Sequence, residues 1–404
     1  MKPEKQERII LFILALINFT HIIDFMIMMP LGPQLMRYFQ ILPQAFSYLV
    51  SSYTVSAGIS GFLMAFWVDS FNRKKVLLVA YIGFVIGTIA CGLADTYLLL
   101  MLARIVAGAF GGLINAQILS IIGDIIPFER RGSAMATIML AFSMASIIGV
   151  PFGLYLANII NWQYPFLIVG GAGALLIPAI YAYIPSLQGH IEAQKNVFNF
   201  WKVVLPIWES RTQQVGILLT MSLIMGQFLV IPFLSPYMVA NVGFTEETLP
   251  FIYFFGGILT FVVAPLVGKW SDKYGKFRML LMGIFLSSLT ILVLTHLPAT
   301  TLPIALIFTS AFFIFTTARI IPAQAITTAL VPPQQRGSYM SLSSSLQQLV
   351  MGLAAFVAGN IVVKNELGNI MHYNWVGYLS VSFSALGIVI ALYLRKFMKE
   401  QNFQ

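Results

Sequence analysis

Charge is what this 404-residue chain has least of: 9% of its residues are Asp, Glu, Lys or Arg, while 59% are apolar. A soluble domain carries about a quarter charged residues, so a soluble globular fold is excluded. Cysteine is reduced to one residue, Cys91, inside an apolar run. No disulfide framework exists within the chain, and redox chemistry has no second thiol. The four histidines are scattered without metal-ligand spacing, and Cys91 has no evident partner base. A metal centre and a membrane-embedded enzyme are therefore not expected. No cleaved leader is expected either: Met1 to Arg8 is polar, and the apolar run that follows is too long for a signal peptide.

What is present is a succession of apolar runs, each long enough to cross a hydrocarbon core about 30 Å thick. Twelve spans are predicted, over 9–36, 45–68, 75–94, 97–126, 132–158, 162–185, 213–241, 247–268, 277–295, 301–330, 338–362 and 373–395. The net charge of +9 raises the question of nucleic acid, but its distribution answers it. Nineteen of the 23 Lys and Arg residues fall on one side of this layout, in the amino terminus, alternate loops, the central segment and the tail. Arg37 and Lys364 fall on the other side, and Arg104 and Arg319 lie within spans. The positive-inside rule then puts both termini in the cytoplasm. The expected partners are a lipid bilayer and a small molecule, with no nucleic acid, and the chain is expected to act as a monomer.

The chain repeats itself at an offset of 203–207 residues. Asp24-Phe25 corresponds to Gln227-Phe228, Asp69 falls near Asp272, Ala116-Gln117 corresponds to Ala323-Gln324, and Arg131-Gly132-Ser133 to Arg336-Gly337-Ser338. Duplication of six spans is common among transporters, with the substrate site between the halves near the midplane. The predicted organisation is a six-helix half over 1–185, a cytoplasmic linker over 186–212 and a second six-helix half over 213–404. The linker's mixture of aromatic and basic residues (Phe198 to Lys202) suits a helix on the membrane surface or a plain tether.

A loop signature occurs once in each half: Ala65, Asp69, Asn72, Arg73 and Lys74, then Gly268, Asp272, Gly275 and Lys276. On these motifs the chain resembles the major facilitator superfamily along essentially its whole length, most of all its bacterial drug:proton antiporter and arabinose-efflux-like branch. The resemblance implies an all-α integral membrane protein of twelve transmembrane helices in two pseudo-symmetric halves. It implies a secondary active transporter of the bacterial inner membrane, with no cofactor beyond a coupling proton. It also implies that Asp69, Arg73, Arg131, Gly268, Asp272, Gly275 and Lys276 hold the cytoplasmic side shut in one conformation. Gly149-Val150-Pro151-Phe152-Gly153 partly resembles the antiporter signature of the fifth span, and Pro151 is expected to bend that helix.

One acid is stranded in oil. Asp24 sits deep in the first span, and a carboxylate there is costly unless it takes up a proton, meets water or pairs with a cation. Asn18, His21 and Asp24 are spaced by three and share a helix face. Counting about 1.5 Å per residue puts Asp24 and Arg104 at similar depth from opposite directions. Arg104 opens Arg104-Ile105-Val106-Ala107-Gly108, which resembles the family's fourth-span signature, and this implies a part in proton coupling. Burial disfavours a charged carboxylate while a nearby guanidinium favours it, so a change in distance or water access would load and release a proton. His21 is either a relay or a packing residue. Arg319, mid-span without a counterpart, is expected to face an aqueous cavity or to tie helices together. Asn18, Gln117, Gln227, Gln324, Gln347 and Gln348 are candidate cavity residues. The expected activity is proton-coupled efflux of small, partly apolar molecules by alternating access. A sugar or metabolite transporter of the same fold, importers included, is the alternative.

Overall fold

The computed structural model describes residues 3–64, 71–127, 130–187, 209–332 and 335–400. Asp69 and most of the expected linker lie outside them. Eleven helices among the described residues are long and apolar enough to cross a membrane. A further 22-residue helix, α3 (Pro43–Met64), has the length but carries many hydroxyl residues. Its Ser47, Ser51, Ser52, Thr54, Ser56 and Ser60 each donate to a carbonyl three residues back, which satisfies them without water. With α3 the twelve expected spans are accounted for.

The first span departs from expectation. It comprises α1 (Pro3–Ile27) and a separate short helix α2 (Gly32–Tyr38), not one run over 9–36. Pro30 cannot donate to the carbonyl four residues back, so the helix ends before it. The remaining spans of the first half are α4 (Arg73–Gly92), α5 (Tyr97–Ile125), a compound fifth span and α8 (Tyr164–Tyr183). The fifth span is α6 (Arg131–Met144), a π-helical turn (Ala145–Gly149) and α7 (Val150–Ile159). The expected irregularity at Pro151 thus takes the form of a widened turn, which relieves the clash of a proline ring with the preceding turn. Gly149 and Gly153 let this span approach α1: a Cβ on either would meet Ile23 or Ile27.

The second half repeats the plan with α9 (Arg211–Tyr237), α10 (Leu249–Tyr274), α11 (Lys276–Thr295), α12 (Leu302–Ala329), α13 (Arg336–Ile361) and α14 (Tyr373–Glu400). A small antiparallel pair, Val363–Lys364 with Ile370–Met371, precedes α14. Packing repeats too. In the first half α4 lies against α5 and α8, and in the second α11 lies against α12 and α14. The halves meet along α3 with α13 and along α7 with α10.

The apolar core reveals the shape. One cluster spans both halves and gathers where α1 ends, joining Ile27, Leu35, Phe46 and Val150 to Phe228, Phe233, Tyr253 and Ala358. Toward the end that carries the chain termini the core divides. One cluster there belongs to the first half alone (Ile10, Leu14, Leu77, Ile118 and Ile180 among it), another to the second half alone (Leu219, Leu280, Ile326 and Leu394 among it). The apolar cores of the halves are joined at the far end and separate toward the terminal end, while α3 and α13 stay in contact as far as Gly61 and Ser345.

Candidate functional site

Asp24 and Arg104 meet. Arg104 Nη1 donates to Asp24 Oδ2 at 2.9 Å and to the Asp24 carbonyl at 3.3 Å. Asp24 is 0% exposed and Arg104 is 1% exposed. Both charges are taken fully out of water, so removing either would leave the other uncompensated at a cost of about 3–5 kcal/mol. The pair is incompletely satisfied: among the described residues Asp24 Oδ1 and Arg104 Nε have no hydrogen-bond partner. The Thr88 hydroxyl lies beside the carboxylate but completes no hydrogen bond of good geometry.

Two aromatic residues frame the pair. The guanidinium carbon of Arg104 sits 4.1 Å from the ring centroid of Tyr53, a desolvated cation–π contact. Tyr53 is itself buried, and its hydroxyl has no partner. His21 is buried one turn before Asp24, edge-on to Phe84 at 5.5 Å, with neither ring nitrogen bonded. A Cβ on Gly111 would lie 2.7 Å from Tyr53 Oη and 3.1 Å from His21 Nε2, so both atoms border the same small space. Sequence reasoning brought Asp24, Arg104 and His21 together but missed Tyr53, because nothing along α3 separates one buried tyrosine from a packing residue.

The expected cavity residues differ in burial and bonding. Asn18 Nδ2 donates to the Ile138 carbonyl at 3.2 Å and ties α1 to α6. Gln117 is buried with its Oε1 unpartnered. Gln227 is half-buried, Gln324 is exposed, and Gln347 donates to Ser343 Oγ at 3.1 Å. Arg319 corrects the expectation of a side chain facing an aqueous cavity. It is 0% exposed, and Nη1 donates to Ser384 Oγ at 2.9 Å and Ser287 Oγ at 3.2 Å, while Nη2 donates to the Leu223 carbonyl at 3.0 Å. It clasps α9, α11, α12 and α14 inside the second half, the second of the two expected readings.

Of the first loop signature the described residues hold Asn72, Arg73 and Lys74, and Asp69 lies outside them. Arg73 Nε lies 2.7 Å from Asp124 Oδ2, an acid that the motif did not flag. Arg131 donates to the Ile126 carbonyl at 3.0 Å and the Gly123 carbonyl at 2.5 Å, capping α5. Its repeat mate Arg336 donates to the Val331 carbonyl at 3.1 Å, so the duplication extends to this bond. In the second copy Lys276 meets Asp272 at 3.4 Å one turn away on an exposed surface, which is worth little. Among the described residues nothing lies within 4 Å of a Cβ placed on Gly268. Gly275 has φ 97°, a left-handed backbone that joins α10 to α11 and favours glycine.

At the far end, polar bonds cross between the halves. Arg37 Nη1 lies 2.6 Å from Glu246 Oε1, Asn158 Nδ2 donates to the Glu246 carbonyl at 2.8 Å, and Gln44 Nε2 donates to Asn360 Oδ1 at 2.6 Å, while within the first half Gln34 Nε2 donates to Asn158 Oδ1 at 2.5 Å. Glu246 accepts two hydrogen bonds from Arg37 and holds that guanidinium further toward its charged form. Arg37 was one of two cations on the minority side of the charge count, the only sign of this latch along the chain.

Comparison with known proteins gives a consistent picture. The sequence profile of the Major Facilitator Superfamily matches residues 14–318 and 216–402. An uncharacterized MFS-type transporter of Bacillus subtilis, YbcL, is 25% identical over 385 residues, covering 95% of this chain and 93% of the relative. Among solved structures, a bacterial homolog of the human lysosomal transporter Spinster, in an inward-facing and unoccupied conformation, superposes with a TM-score of 0.76 at 19% identity, covering 99% of this chain and 98% of the other. A D-xylose–proton symporter superposes with a TM-score of 0.77 at 16% identity, covering 96% and 97%.

Proposed function

Because the chain belongs to the major facilitator superfamily and is a multi-pass secondary transporter, we propose that it couples proton movement to efflux of small, partly apolar molecules. One observation carries this reading: a carboxylate at 0% exposure holds its guanidinium partner through a single oxygen, with the other oxygen unbonded. A structural ion pair at such a depth could be replaced by apolar residues at little cost. A proton carrier could not, since only an acid can exchange the guanidinium for a proton. Arg104 is the competitor for the carboxylate, Tyr53 its platform, and His21 a second titratable group beside the pair.

The apolar cores, joined at the far end and separate toward the terminal end, support a state closed at the far end and open at the other. With both termini in the bacterial cytoplasm, this is the inward-facing state, ready to take substrate from inside. Coupling then follows from linkage. Outward opening breaks the Arg37–Glu246 latch, changes access to Asp24, and allows a proton to displace Arg104 from one side only. A conformational change of this kind needs a ligand or proton that binds the two states differently. Arg73, Arg131 and the 268–276 loop belong in this reading to the terminal side, whose closure alternates with that of the latch. The chain works as a monomer, with residues 1–185 and 213–404 as its two halves.

The test is flux in liposomes holding the purified protein. A panel of labelled apolar cations and sugars is offered under an imposed pH gradient. Efflux against the proton gradient that disappears in Asp24→Asn supports the proposal. Undiminished gradient-driven flux in that variant removes Asp24 from the mechanism. Sugar uptake in the direction of proton entry would favour the importer reading, for which the D-xylose–proton symporter of the same fold is the precedent.

A further inference from the structure

We propose that Tyr53 is the positioning residue that ties the Asp24–Arg104 pair to the contact between the halves, through Phe25 and Phe228. This rests on the proton-coupling reading above and supplies the physical link that reading needs. The ring centroids of Phe25 and Phe228 are 6.3 Å apart, and those of Phe25 and Tyr53 are 5.7 Å apart. Tyr53 in turn covers the Arg104 guanidinium at 4.1 Å. Phe25 follows Asp24 directly, and Phe228 follows its repeat mate Gln227. The duplication has thus placed one aromatic residue from each half in contact where the halves meet.

The backbone beneath Tyr53 is fixed while its ring is not bonded. A Cβ on Gly108 would run into the Tyr53 carbonyl, and one on Gly112 into that of Ala57, so α3 lies tight against α5. On its other face α3 is held by α13, where a Cβ on Gly58 would meet Leu349 at 2.7 Å and one on Gly352 would meet Thr54 at 2.8 Å. Among the described residues Tyr53 Oη has no partner to anchor the ring. When Phe228 withdraws with the second half, Phe25 loses one wall of its contact and the Tyr53 ring gains room. The guanidinium beneath it loses its platform and can swing from Asp24. The titratable and charged groups facing Asp24 are Arg104 from α5, Tyr53 from α3 and Cys91 from α4, with the Thr88 hydroxyl beside it, while His21 on its own helix faces Arg104. Tyr53 is the one among them that also reaches, through Phe25, the other half.

The experiment needs no substrate. Spin labels at Asp95 and Ala299, both exposed at the far end on opposite halves, report opening of the full chain in lipid nanodiscs. The distance distribution is recorded across pH. Wild type is expected to shift its population with pH, and Asp24→Asn to be flat. Phe228→Ala and Tyr53→Leu are expected to move the midpoint by about one pH unit, the order of a lost desolvated cation–π contact, or to abolish the response. Tyr53→Phe keeps the ring and is expected to keep the wild-type curve. A wild type indifferent to pH, or an Asp24→Asn curve like that of wild type, overturns the coupling reading and this inference with it. A flat Asp24→Asn beside wild-type curves for Phe228→Ala and Tyr53→Leu overturns only the inference. Tyr53→Phe behaving like Tyr53→Leu overturns it too, because the hydroxyl would then be the working group. Should Tyr53→Leu fail to fold, Phe228→Ala decides alone.

Discussion

Each half of the molecule buries one arginine completely, and the two are held in opposite ways. Arg104 in the first half is paired with a carboxylate, Asp24, at 2.9 Å. Arg319 in the second half donates to two serine hydroxyls and a carbonyl, and among the described residues it has no acidic partner. A guanidinium on neutral oxygens has nothing to exchange with a proton, so it is a fixed clasp. A guanidinium on a carboxylate competes with a proton for the same oxygen. Duplication has therefore produced two similar scaffolds with unequal electrostatics: one half is suited to titrate and the other to stay rigid.

The sharpest way to break this contrast is to neutralise each arginine in turn. Arg104→Met strands Asp24 as a buried, unpaired acid, with an expected loss of about 3–5 kcal/mol and loss of pH-dependent transport. Thermal unfolding in detergent and flux across a pH series measure both effects. Arg319→Met leaves two hydroxyls and a carbonyl without a donor, with an expected loss of about 1–3 kcal/mol and an unchanged pH profile. If Arg319→Met shifted the pH profile as much as Arg104→Met, the division of labour would be wrong.

A smaller effect separates the two ends of the molecule. Glu246→Gln removes the charge from the far-end latch. The Arg37 side chain is 70% exposed, so solvent screens the pair. The expected change is at most about 1 kcal/mol, or about fivefold in the open-to-closed ratio. It should be larger at low salt than at high salt, as read by the same spin-label distances. The smallest effect compares the two copies of the loop signature. Asp124→Asn, which removes one acidic partner of a mostly covered Arg73, is expected to cost about 1 kcal/mol, and Asp272→Asn in the exposed copy about 0.5 kcal/mol or less. Equal losses in unfolding experiments would mean that the copies are equivalent after all.

Much of this was legible in the sequence, for physical reasons. Apolar runs of membrane-spanning length can only be helices in lipid, so the spans and the repeat could be counted. Asp24 and Arg104 could be matched because rise per residue converts position into depth. The break after Ile27 was missed although Pro30 marks it, because the hydropathy of Met28 to Leu31 hides a backbone constraint. The fate of Arg319 was open because its partners, Ser287 and Ser384, lie on helices remote in sequence, and serine in a span carries no signal of where it points. Tyr53 and the Arg37–Glu246 latch were missed for the same reason: which side chains face each other across helices is set by packing that no period encodes. Gly275 was legible only by resemblance, as a glycine of the loop signature, whereas the structure gives it a backbone role.

The most direct test of the account follows the Asp24 carboxyl group itself, by infrared difference spectroscopy of the reconstituted protein between acidic and alkaline pH. A protonated carboxyl band is expected that vanishes as pH rises and is absent from Asp24→Asn. Identical difference spectra for wild type and Asp24→Asn would contradict it.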